Sequence, residues 1–247
     1  MRSAHPRKLQ VYQTQNGREP FTEWLKSIRD RRTRTRIQDR LERLEIGNVG
    51  DCESVGDSVY ELRLHFGAGY RIYFGEIGNT IVLLLCGGDK SSQAQDIARA
   101  KTYWLDGTQG NTPMRKYRAW HEVLIEQLAD PEEALDYLQF ALEGYQKDGD
   151  TSLFLRALRT VVESQGGIAE VAKKIGTVPE SLSEILANDE PPQIYPLGTL
   201  LNAFGWQLSI EPLENVELNI KTQNGKRVDL NTASGKRGSS VVEAPSS

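Results

Sequence analysis

Residues 59–90 read VYELRLHFGAGYRIYFGEIGNTIVLLLCGGDK, and this stretch decides the fold. It breaks into three runs with strand character, 59–66, 70–76 and 80–87, joined by short connections that contain Gly67, Gly69, Gly78 and Asn79. Runs rich in β-branched and aromatic residues, separated by a few glycine-bearing positions, predict an antiparallel meander. The third run is apolar throughout, as a strand buried on both faces would be. Side chains alternate along a strand, so the first two runs can be sorted by face. Tyr60, Leu62, Leu64 and Phe66 with Tyr70, Ile72 and Phe74 form a core set; Glu61, Arg63 and His65 with Arg71 and Tyr73 share the other face. If Gly67-Ala68-Gly69 is a three-residue loop, Phe66 pairs with Tyr70, His65 lies opposite Arg71, and Arg63 opposite Tyr73.

Working outward, Lys8 to Gln13 is a short alternating strand, and Pro20 opens a helix whose Phe21, Trp24, Leu25 and Ile28 make one apolar stripe. A second helix spans roughly residues 32–44, with Ile37, Leu41 and Leu44 inward and a face dense in arginine: Arg29, Arg31, Arg32, Arg34, Arg36, Arg40 and Arg43. Residues between that helix and Val59 are rich in Gly, Asp and Ser and read as a loop. After the meander, Ser92 and Gln95 have capping-box spacing, and Ala94, Ile97, Ala98 and Trp104 give a closing helix its buried stripe. The order is β-α-α-β-β-β-α.

The segment 107–116 is polar, non-periodic and contains Gly and Pro, which marks a linker. From Tyr117 the pattern is helical. Tyr117, Trp120, Leu124 and Leu128 form one stripe, and Asp130-Pro131-Glu132-Glu133 combines an N-cap, a first-turn proline and acidic residues suited to the helix dipole. Two short helices follow near 168–174 and 179–186, then one near 197–204 and a strand-like WQLSIEP. Beyond residue 212 the chain turns polar, as disordered segments do. The class is therefore α+β: a mixed unit at 1–106, a linker at 107–116, an all-helical unit at 117–212, and a tail at 213–247.

A length of 247 residues fits two small domains. Residues 1–106 carry 17 Lys and Arg against 14 Asp and Glu, whereas 107–247 carry 13 against 20. A basic half and an acidic half in one chain attract each other. No apolar run approaches the ~18 residues of a membrane span, and no apolar stretch follows the basic N-terminus as in a secretory signal. Two cysteines and three histidines offer neither a disulfide framework nor a metal cluster. The expectation is a cytoplasmic protein with no cofactor and no membrane partner.

Chemistry concentrates on the second face of the hairpin, where Arg63, His65, Arg71 and Tyr73 gather with Lys90 at the rim. Attack of an RNA 2′-hydroxyl on its own phosphate needs a base, an acid for the leaving oxygen, and cations for the charge of the phosphorane. Arginine meets phosphate oxygens in bidentate fashion, and histidine titrates near neutral pH. The alternative is an ordinary solvated face of an antiparallel sheet. The arginine-rich helix has two readings as well: a solvated face, or a footprint for RNA phosphates or the ribosome through Arg32, Arg36, Arg40 and Arg43.

Tyr60-Glu61-Leu62-Arg63, then Tyr70-Arg71-Ile72-Tyr73-Phe74, then residues 82–91 (VLLLCGGDKS) resemble the RelE/ParE toxin superfamily, and within it the HigB-like addiction module killer group. The likeness covers residues 8–106, including the Pro-Phe-x-x-Trp-Leu helix. It implies a toxin that cleaves mRNA in the ribosomal A site with scattered basic residues. Arg71 carries over as a phosphate or transition-state contact, Arg63 as the basic residue of the preceding strand, and Lys90 as the one after the last strand. Two places depart from RelE: Glu61 stands where it has a lysine, and in the helix where it has a catalytic tyrosine this chain has the polar residues 93–96 (QAQD).

The second half, through Asp130-Pro131-Glu132-Glu133-Ala134, Phe154-Leu155-Arg156-Ala157-Leu158-Arg159, Gly166-Gly167-Ile168-Ala169 and Glu180-Ser181-Leu182, is similar to the HigA-like addiction module antidote family. That family carries an Xre-type helix-turn-helix, here near 168–187. The resemblances together imply a toxin fused to its own antitoxin, with contacts made within one chain or swapped between copies, and with the acidic helical half lying across the cationic β-face. Amphipathic helices 117–128 and 131–145 are where those contacts are expected. Operator DNA and a second copy are further partners that such a chain could take. In a helix-turn-helix the second helix offers its N-terminal residues to base edges; here Ser181 and Ser183 could reach bases, and Lys173 and Lys174 phosphates. That helix and its flank hold four acidic residues and no Lys or Arg, a poor match to a polyanion. The rival functions are a DNA-binding autoregulator with an inactive toxin half and a ParE-like gyrase inhibitor; fold-level likeness does not separate them.

Overall fold

The computed structural model describes residues 5–78, 80–109, 117–148, 151–187, 200–201 and 203–206. The segment 110–116, the strand-like 207–212 and the tail 213–247 lie outside the described residues, as does half of the helix expected near 197–204.

β1 (Lys8–Val11) leads through α1 (Pro20–Ser27) and α2 (Arg31–Glu45) into β2 (Cys52–Gly56), β3 (Val59–Arg63), β4 (Arg71–Ile77) and β5 (Ile81–Gly88), and α3 (Gln93–Gln109) closes the α/β half. A two-residue strand β6 (Arg118–Ala119) precedes α4 (Trp120–Leu128), α5 (Pro131–Asp148), α6 (Thr151–Ser164), α7 (Gly167–Ile175) and α8 (Pro179–Ala187). The sheet order is β2-β3-β4-β5-β1-β6. β2, β3, β4 and β5 pair antiparallel as a meander, while β1 joins β5 in parallel, so the sheet is mixed rather than purely antiparallel.

Three features differ from the sequence expectation. Residues 52–56, read as loop, are the edge strand β2. They carry little apolar alternation because much of that strand is solvated, with the burial an edge position allows. Residues 118–119, read as the start of a helix, extend the sheet by pairing antiparallel with Val11 and Gln10. The hairpin register is also shifted. Arg63 faces Arg71 and Glu61 faces Tyr73, because the strands stop at Arg63 and restart at Arg71.

Close approach of two indoles fixes the layers. A Cβ on Gly87 would meet the Trp24 ring at 2.1 Å, and one on Gly75 would meet the Trp104 ring at 2.2 Å. Bare backbone at these two positions therefore seats α1 and α3 against the sheet. Tyr73, Val59, Leu83 and Leu85 pack beneath α3 with Ala100 and Trp104. On the opposite face, Leu62, Ile72, Phe74 and Leu84 meet Phe21, Leu25, Ile37 and Leu41.

That second cluster does not stop at the α/β half. Trp120, Leu124, Leu128, Leu138, Phe154 and Leu158 belong to it, so one continuous core runs from the sheet into the helical half. Trp120 is fully buried, its ring edge-on to Phe21 at 5.8 Å between centroids. Within the helical half, Asp130 caps α5, its carboxylate accepting from the Glu132 amide at 2.9 Å. α7 and α8 are joined through Gly176, whose φ of 69° is the left-handed conformation in which a glycine closes a helix.

Candidate functional site

The hairpin end of the sheet holds an open cleft of about 310 Å³ lined by Arg63, His65, Tyr70, Arg71 and Lys90 together with Gly67 and Gly69. Its lining comes from the α/β half alone. Two arginines facing each other across an antiparallel pair would repel. Glu61 resolves this. Its side chain is fully buried on the same face, two residues before Arg63. It accepts from Arg63 Nε at 2.8 Å, from the Tyr73 hydroxyl at 3.1 Å and from Gln93 Nε2 at 2.9 Å, and it stands 3.0 Å from Arg71 Nε. Arg71 also donates through Nη1 to the Gly69 carbonyl at 2.7 Å. Arg63 reaches outward to Glu53 at the same time.

The five residues proposed from sequence for catalysis thus have different fates. Arg63 and Arg71 are adjacent and partly exposed into the cleft. His65 is exposed and bonded to Asp51, Nε2 to Oδ2 at 2.7 Å, so an acid–base group at the rim has a carboxylate partner. Lys90 sits exposed on the far lip, held near the hairpin loop by its amide on the Ala68 carbonyl at 3.5 Å. Tyr73 does not line the cleft: it is fully buried under α3. Burial, then the neighbouring charge of Glu61, push its phenol far above the ordinary tyrosine range, and its hydroxyl donates to Glu61. Cys86 is likewise withdrawn from chemistry, its thiol pushed up to about 12 by burial.

Sequence reasoning missed the role of Glu61. Glu61 registered there as a member of the polar face and a departure from a lysine, although a carboxylate at i−2 from one arginine and diagonal to another is the spacing that lets one acid serve both.

The arginines of α2 lead elsewhere. Arg31 pairs with Glu132 and, at 3.2 Å, with Asp136; Arg34 pairs with Glu133; Arg32 pairs with Glu143 at 2.9 Å. All four acids belong to α5. In the reverse sense, Arg156 of α6 bridges Glu42 and Glu45 of α2. The helical half therefore lies on the arginine helix and not across the cationic hairpin face, which corrects the expected docking. Of the remaining α2 candidates, Arg36 rests over the Phe66 ring at 3.9 Å, Arg40 donates to the Asn48 and Val49 carbonyls, and Arg43 pairs with Asp39 at 2.9 Å. On α7 and α8, Lys173, Lys174 and Ser183 are exposed and Ser181 is half-buried. Ser183 shares an apolar hollow with Ile168 and Leu186.

Among the described residues no helix is long and apolar enough to cross a membrane. No solved structure matches the chain. An uncharacterised protein of Haemophilus influenzae is 46% identical over 81 residues, which are 33% of this chain and 82% of that protein. Residues 122–212 match a family model described as "Probable addiction module antidote protein". The matched segment begins within α4, just after the strand and tryptophan that tie the two halves, and takes in α5 and α6, which meet the arginine helix. By this match and this relative, the chain belongs to the addiction module antidote family, and its helical half is the antidote part of a toxin–antitoxin system.

Proposed function

We propose that the chain is a toxin and its antidote in one polypeptide: the α/β half is a RelE-like, ribosome-dependent mRNA endoribonuclease, and the fused helical half holds it silent. One observation carries this reading. The antidote-family segment is bonded to a single face of the α/β half, through a shared core and through carboxylates of α5 laid on the arginines of α2.

In this reading Arg63 and Arg71 receive the scissile phosphate and offset the charge that builds on its oxygens during attack by the 2′-hydroxyl. His65 takes the proton of the attacking 2′-hydroxyl and returns it to the leaving 5′-oxygen as the P–O bond breaks, with Asp51 orienting its ring. Lys90 adds a cation on the leaving side. Inhibition does not plug this cleft. It withdraws the arginines of α2 from RNA phosphates by giving them protein carboxylates instead. Joining the two parts keeps the inhibitor at an effective concentration on the order of millimolar, so a contact of only micromolar strength is nearly saturated.

The test expresses residues 1–109 alone, the same fragment with Arg71→Ala, and the fragment together with residues 117–247 from a second gene. Growth and cell-free translation are the readouts, and circular dichroism of the purified fragment establishes that it folds. Arrest by the fragment, relief by Arg71→Ala, and rescue by the second half are expected. A folded fragment that leaves translation untouched overturns the proposal.

A further inference from the structure

We infer that Glu61 is a positioning residue that sets Arg63 and Arg71 as one aligned pair of donors for a phosphate group in the hairpin cleft. The inference rests on the cleft being a phosphate site, and goes beyond that reading in naming what builds it. Arginines directly opposed across β3 and β4 splay apart unless something neutral or negative lies between them. Glu61 is the group between: fully buried, it contacts Nε of both guanidiniums, one through each oxygen. Its own orientation is fixed from behind by the Tyr73 hydroxyl and by Gln93 at the first turn of α3. With Nε of each guanidinium against Glu61, Arg63 Nη2 reaches Glu53 and Arg71 Nη1 the Gly69 carbonyl, and both side chains line the same cleft as Lys90. A guanidinium held in this way loses little freedom when it meets an oxyanion, which is the gain that preorganisation gives.

The claim has a sign that simple charge counting reverses. Glu61→Gln removes one negative charge beside the cleft, so electrostatics alone predicts tighter binding of an anion. Positioning predicts the opposite, since an amide can accept from one arginine but turns a donor toward the other.

The full chain is titrated with pyrophosphate by calorimetry and with a short 2′-O-methyl RNA by fluorescence anisotropy, alongside Glu61→Gln, Arg71→Ala and the double variant. Loss of one oriented, charge-assisted hydrogen bond corresponds to an affinity about tenfold weaker for Glu61→Gln. In the Arg71→Ala background the same substitution costs less than about twofold, because the residue acts through the pair; a merely structural effect would be additive. Should Glu61→Gln fail to fold, Glu61→Asp decides in the same way, keeping the charge while losing the reach to both guanidiniums. Binding that is unchanged or tighter in Glu61→Gln, full additivity, or no pyrophosphate binding by the unaltered chain overturns the inference. Pyrophosphate binding without RNA binding leaves Glu61 in its role and overturns the RNA reading of the cleft instead.

Discussion

Two groups of arginines occupy the same half of this protein and meet opposite fates. On α2, Arg31, Arg32 and Arg34 find their carboxylates about a hundred residues away, on α5. At the hairpin, Arg63 and Arg71 find theirs two residues from Arg63, in the buried Glu61. Local pairing leaves the hairpin arginines lining an open cleft of their own half, whereas distant pairing commits the helix arginines to a contact between halves, where Arg34 is close to buried and Arg31 and Arg32 stay exposed. Arginine content cannot separate a site from an interface. What separates them is where the countercharge comes from: the same hairpin for Arg63 and Arg71, the other half for the arginines of α2.

The sharpest way to break this contrast is Arg34→Ala. Arg34 and Glu133 retain only 14% and 13% of their side-chain exposure, so the pair is close to buried. Removing one partner strands the other charge, which costs about 3 kcal/mol. Chemical denaturation of the full chain should show that loss, while pyrophosphate affinity at the hairpin stays as it was. A stability change under about 1 kcal/mol would place Arg34 among ordinary surface pairs, and a change in cleft affinity would mean that the two arginine groups are coupled.

Much of the sheet could be read from residues 59–90, because the alternation of Leu62, Ile72 and Phe74 against Arg63, Arg71 and Tyr73 is a local signal. The register could not, since it depends on where the strands stop, and seven residues connect Arg63 to Arg71 rather than the three of the assumed loop. β2 escaped because an edge strand need not alternate, and β6 because a two-residue strand is defined wholly by its partner β1. At the site, Arg63 and Arg71 were legible as neighbours on one face. The burial of Tyr73 was not, since it is imposed by α3, whose docking turns on the absence of a side chain at Gly75. The charge asymmetry of the halves foretold attraction but not its address: the basic residues of α2 and of the hairpin look alike in a count.

Acid titration sharpens the interface side of the comparison. Glu42 of α2 is 3% exposed and paired to Arg156, and it is faced also by Glu45, His121 and Tyr137, the last of which Asp39 approaches too. Burial outweighs the attraction of Arg156 and raises its carboxyl above the ordinary glutamate value of 4.5. A carboxyl raised on folding binds its proton more tightly in the folded chain than in the unfolded one. Its favourable contribution is therefore complete below the unfolded value and is lost as pH rises through the folded one. Glu42→Gln removes that decline, so the variant's stability relative to the unaltered chain should climb from about pH 4.5 toward neutrality and then level off. Equilibrium unfolding at a series of pH values measures the difference directly. A difference that stays flat, or falls with pH, would show that Arg156 outweighs burial and that the contact gains from the ionised form.

The smallest effect belongs to Arg32→Ala, and it tests whether exposure ranks these pairs. Arg32 and Glu143 sit 2.9 Å apart, a good distance, yet retain 70% and 46% of their side-chain exposure. Water screens such a pair, and fixing two long side chains in one geometry offsets most of the attraction, so the loss should stay within ~0.5 kcal/mol. Salt at about 0.1 M, where the screening length is about 10 Å, should erase even that difference, while leaving the Arg34→Ala deficit largely in place. An Arg32→Ala penalty as large as that of Arg34→Ala would mean that distance governs this interface and solvent does not. If the penalty is as small as expected, Arg32 is the arginine of α2 that releases its carboxylate at least cost, and so the first that an RNA phosphate could recruit when the two halves separate.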